Sequence, residues 1–107
     1  MVILYGFGDY ARNILRQTSF LCSEIEVIID ENLSKQHKDI ISWDYFLENR
    51  DKYKSNIIVI GVNYADIFSE IESNIIKSGV FDRRNIWTIE RWKDEVIKNN
   101  KLLQLLH

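Results

Sequence analysis

Gly6 and Gly8, two residues apart in the segment Tyr5-Gly6-Phe7-Gly8-Asp9-Tyr10-Ala11, end an apolar run and open a helical pattern. Such a loop is suited to holding phosphate. The first turn of a helix carries backbone N–H groups without partners inside the helix, and the helix dipole adds partial positive charge at the same end. An anion has to approach the backbone closely there. Gly6 can make the tight turn, Gly8 removes the side chain that would block a diphosphate, and Ala11 is small enough for the helix to pack on the strand. The N–H groups of Asp9, Tyr10 and Ala11 would hold the phosphates, with Phe7 completing the loop.

Two further groups belong to the same chemistry. Asp30 ends the next strand about 20 residues on, where a carboxylate accepts hydrogen bonds from ribose 2′- and 3′-hydroxyls or contacts another sugar or base, and disfavours a 2′-phosphate. Glu31 follows it. Gly61-Val62-Asn63-Tyr64 ends the strand expected beside the first, and so faces the crevice where strand order reverses. Asn63 reads first as a helix cap and second as a ligand contact; Tyr64 could equally stack on a base or cover the sheet edge. The plain alternative is that the glycines only permit a close strand-to-helix turn and that Asp30 is a solvated loop residue.

The elements that must position these residues follow from the apolar pattern. Val2-Ile3-Leu4-Tyr5 reads as a strand covered on both faces, and Ala11, Ile14, Leu15 and Thr18 recur at helical spacing. Ile25 to Ile29 is a second strand, Leu33 to Asp39 a polar, mobile loop, and Ile40-Ile41 a short edge strand. Ser42 can cap a helix from Trp43 to about Tyr53. Asn56 to Gly61 is a buried strand. The next helix, capped by Asn63, carries Ile67, Phe68, Ile71, Ile75 and Ile76 and stops at Gly79. Ile86 to Ile89 is the last strand, and the chain is helical from about Arg91. Strands alternating with helices imply one doubly wound α/β domain over residues 1–107, a parallel sheet of about five strands in the order 3-2-1-4-5.

Composition narrows the function. The chain has 107 residues, enough for one core. A net charge of −2 with interspersed signs leaves no basic stripe for nucleic acid. Cys22 is the single cysteine and His37 and His107 the only histidines, so no metal-ligand cluster is expected. Cys22 is expected to be a buried or half-buried thiol without a catalytic role. His37 reads first as a solvated loop residue, second as a phosphate contact. Trp43, Trp87 and Trp92 read as core or sheet-edge packing. No stretch approaches the roughly 18 apolar residues of a membrane span and no basic leader precedes Val2, which reads as a cytoplasmic protein. In the final helix Trp92, Val96, Leu102, Leu103 and Leu106 share a face, while Ile97 and Leu105 lie on another, either as part of a frayed terminus or as a contact to a homodimer partner or a missing domain.

The runs VILYGFGDYARNIL, VIIDEN and NIIVIGVNYADIFSEIESNIIKSG resemble the small Rossmann-like domains attached to bacterial enzymes of nucleotide-sugar and surface-polysaccharide metabolism. These include domains that precede sugar epimerases and dehydratases, that follow sugar methyltransferases, and that form the N-terminal part of sugar acetyltransferases. The resemblance implies a NAD-type dinucleotide or a nucleotide-diphosphate-sugar as ligand, with an acid matching Asp30 and a polar loop matching Val62-Asn63-Tyr64. It implies no reaction: nothing after Trp92 matches the hexapeptide repeats of the acetyltransferases, and none of the five tyrosines has a lysine four residues on, as the Tyr-x-x-x-Lys pair of the short-chain epimerases and dehydratases requires. No residue of the sequence is singled out as a catalyst. The expected role is a nucleotide-binding module, with two alternatives: an NAD-dependent oxidoreductase or sugar-modifying enzyme completed by another subunit or a missing region, and an interaction domain without ligand. S-adenosylmethionine is disfavoured, since no acid precedes Gly6 and Tyr10 occupies the third glycine place of a Gly-x-Gly-x-Gly run.

Overall fold

Every residue of Val2–Leu4 is buried, because the strand they form lies mid-sheet with helices on both faces. The computed structural model describes residues 1–105, with side chains as far as Asn100. Five strands, β1 (Val2–Tyr5), β2 (Ile25–Ile29), β3 (Ile40–Ile41), β4 (Ile58–Ile60) and β5 (Ile86–Thr88), make one sheet in the order β3-β2-β1-β4-β5. All four pairings are parallel. This is the doubly wound, Rossmann-like α/β arrangement implied by the alternating pattern, and its strand order reverses between β1 and β4.

Alternation along β1 divides the core in two. Val2 and Leu4 meet Ala11 and Leu15 of α1 (Asp9–Gln17), together with Ile89 and Trp92 of α4 (Ile89–Leu105). Ile3 points the other way, into a cluster with Phe46 of α2 (Trp43–Glu48) and Ile75 of α3 (Ala65–Ser78). Phe46 stacks on Trp43, Tyr53 and Phe81 at ring-centroid distances of 5.4, 5.3 and 6.0 Å. The tryptophans pack as expected: Trp92 is buried, and half-buried Trp87 donates its indole N–H to the Arg84 carbonyl. No described helix is long and apolar enough to cross a membrane.

Several boundaries differ from expectation for identifiable reasons. The helix expected from Trp43 to Tyr53 breaks after Glu48, because Asn49 leaves helical geometry and its side-chain amide donates to the Tyr45 carbonyl; a 3-10 turn, Arg50–Lys52, follows. Ser42 does cap α2, its hydroxyl accepting from the Tyr45 N–H. Asn63 does not cap α3: the N-cap is Tyr64, in extended conformation, without a side-chain hydrogen bond. α4 starts two residues early, at Ile89, where the Thr88 hydroxyl accepts from the Arg91 N–H. Gly79 ends α3 in the left-handed region, φ 74°, as its position suggests. Cys22 is exposed rather than buried, since in the 3-10 turn Ser19–Glu24 only Leu21 points into the core. Of the second apolar stripe on the last helix, Ile97 is half-buried and the side chain of Leu105 lies outside the described residues.

Candidate functional site

The turn from β1 into α1 leaves a helix N-terminus open. Gly6 has φ 98°, a left-handed conformation that an L residue adopts only with strain. Gly8 is the N-cap of α1, and no side chain hydrogen-bonds to this cap. α2 is closed in the opposite manner: besides the Ser42 cap, the Glu31 carboxylate accepts from the Trp43 N–H at 2.8 Å. A Cβ placed on Gly8 would meet no atom within 4 Å. Open space therefore lies over the N-cap at the end of α1 where the helix dipole favours negative charge, beside the exposed Asp9, whereas Ala11 is fully buried. Asp9 points outward, 94% exposed, and pairs with Arg12 at 2.7 Å.

Asp30 holds this loop in place. Its Oδ2 accepts from the Phe7 N–H at 2.8 Å, and its Oδ1 accepts from the N–H groups of Asn32 and Leu33 at 3.1 and 3.0 Å. The segment expected to be a mobile loop after β2 is thus anchored, and it contains a 3-10 turn at Leu33–Lys35. A carboxylate offers about four acceptor positions, so Oδ2 retains one for a ligand hydroxyl. Burial, then the charges of Glu31, Asp30 and Asp44, push the nearby Tyr5 phenol above its ordinary pKa. The same negative potential opposes a 2′-phosphate at this end of the sheet. Asp30→Asn keeps one accepting oxygen but turns an amide N–H₂ toward the Phe7 N–H or toward those of Asn32 and Leu33. We expect it to lower unfolding free energy by about 1–2 kcal/mol in urea titrations. An unchanged urea midpoint would contradict the anchoring role.

The third sequence group is divided by the fold. Gly61 is buried and its N–H donates to the Tyr5 carbonyl at 2.7 Å; a Cβ there would lie 2.4 Å from the Gly6 carbonyl oxygen and 3.0 Å from the Ala11 Cβ. Its smallness lets the ends of β1 and β4 and the start of α1 meet. Val62 and Asn63 reach the open side, where with Tyr10, Ala65, Phe68, Ser69, Thr88 and Glu90 they line a crevice of about 300 Å³. It lies beyond the carboxyl ends of β4 and β5, beside the reversal of strand order. The Tyr10 hydroxyl donates to Glu90 Oε1 across it. Burial, together with the hydrogen bond to Glu90 and the Glu90 charge, pushes the Tyr10 phenol up to about 12.

Tyr64 is 68% exposed beside the crevice-lining residues Asn63 and Ala65, and Ala11 is buried where α1 packs on the sheet. Phe7 turns its ring away from the crevice, under the Arg12 guanidinium at 5.9 Å and beside Leu15 and Cys22. His37 is exposed and lines a different, larger cavity of about 460 Å³ between the β3 edge and α2. Sequence reading missed Thr88 and Glu90. The strand-ending polar residue after Ile86-Trp87 was the available signal, because parallel strands bring their carboxyl ends to one edge. No family model, curated protein or solved structure matches the chain, and the site rests on its geometry.

Proposed function

We propose that this chain is a nucleotide-binding module for a ligand with a diphosphate, either a NAD-type dinucleotide or a nucleotide-diphosphate-sugar. The observation that carries the reading is the uncapped first turn of α1, facing open space over Gly8 at the point where strand order reverses. The diphosphate rests on the N–H groups at the start of α1, those of Asp9 and Tyr10, a ribose hydroxyl meets the free position on Asp30 Oδ2, and Tyr64 offers a ring for stacking. The resemblance of the glycine-loop runs to domains of sugar-nucleotide and surface-polysaccharide enzymes supports the same ligand class and a cytoplasmic setting, where such nucleotides are supplied. Calorimetric titration with NAD, UDP-glucose and UDP tests it. Saturable binding of at least one, weakened by free pyrophosphate, is the expected result; heats no larger than dilution for all three would refute the reading.

A further inference from the structure

The crevice next to the glycine loop has one charged wall, and its sign is negative. Among its lining residues Glu90 alone carries charge; the others are the polar Tyr10, Asn63, Ser69 and Thr88 and the apolar Val62, Ala65 and Phe68. Tyr10 belongs both to the first turn of α1 and to this lining, so the crevice adjoins the proposed diphosphate position. The Tyr10 hydroxyl occupies one Glu90 oxygen, which fixes the carboxylate toward the crevice and leaves its remaining lone pairs as acceptors. Thr88 accepts from the Arg91 N–H and keeps its own hydroxyl proton to donate. Arg91 does not offset the charge from inside the crevice, since its guanidinium lies over the Trp87 ring at 4.5 Å.

We infer that Glu90, positioned by Tyr10, is a specificity determinant: it admits an uncharged, hydroxyl-bearing or cationic group beyond the diphosphate and rejects an anionic one. A hydroxyl gives the carboxylate a donor, whereas a third phosphate would bring like charge against a carboxylate in a partly enclosed site. The inference rests on the diphosphate reading of the α1 turn. Its test compares UDP-glucose with UTP and ADP-glucose with ATP, without divalent cations, on the parent chain and on Glu90→Gln. Glu90 is exposed, and glutamine keeps an acceptor for Tyr10, so the fold is retained. The parent is expected to bind the nucleoside-diphosphate glucose on the order of tenfold more tightly than the nucleoside triphosphate of the same base, and Glu90→Gln to bring the two within about twofold. A gap that Glu90→Gln leaves unchanged, or a parent that binds triphosphates as tightly, overturns the role of Glu90 while the diphosphate site stands. No binding of any of the four by the parent overturns both.

Discussion

Gly8→Val is expected to reduce nucleotide affinity on the order of a hundredfold or more while leaving a folded protein. The new side chain has open space around it, with no protein atom within 4 Å of its Cβ, and Gly8 already has an extended backbone, φ −80° and ψ −166°, that valine adopts freely. Loss of glycine at an N-cap costs less than about 1 kcal/mol, so the melting temperature should fall by only a few degrees. The volume filled is the one a diphosphate needs to reach the N–H groups of the α1 turn. Circular dichroism melts beside calorimetry separate the two effects. Parent-like affinity in a folded Gly8→Val protein would make the glycine loop purely structural.

Gly61→Ala should give the opposite outcome: a loss of about 3 kcal/mol in unfolding free energy, or roughly 15 °C in melting temperature, from one added methyl group. A Cβ 2.4 Å from the Gly6 carbonyl oxygen has no rotamer by which to escape, and the obstacle is backbone. Relief requires β1 and β4 to part at their carboxyl ends, which stretches the Gly61 N–H to Tyr5 carbonyl bond. The two glycines look alike in the sequence, yet one substitution is expected to act on ligand binding and the other on the fold. Thermal melts that place Gly61→Ala within a few degrees of the parent would show that the strand ends do not meet this closely.

How much was legible depended on whether a residue's role is local. Strand positions, the sheet order, the Ser42 cap and the Gly79 stop follow from apolar runs and local capping chemistry, and the structure has them. The break of α2 at Asn49 was hidden because the apolar periodicity continues through Phe46, Leu47 and Tyr53 while a side-chain hydrogen bond ends the helix. The packing role of Gly61 was not legible, because spacing does not reveal that the Gly6 carbonyl lies where a Cβ at this position would have to go. The threefold use of Asp30 by backbone N–H groups, one of them from Phe7 on another strand's exit loop, likewise exists only once β1 and β2 are paired. Glu90 is 80 residues from Tyr10 in the chain, and no periodic pattern joins them.

Whether the N-terminus of α1 receives a diphosphate, as proposed, is read residue by residue from backbone amide NMR of the ¹⁵N-labelled chain titrated with UDP-glucose and with NAD. For at least one ligand the amide resonances of Gly8, Asp9, Tyr10 and Ala11 are expected to move furthest and saturate together. Those of α2, whose N-terminus Ser42 and Glu31 already close, should stay in place. Saturating shifts that spare Gly8 to Ala11, or no saturating shift with either ligand, would contradict it.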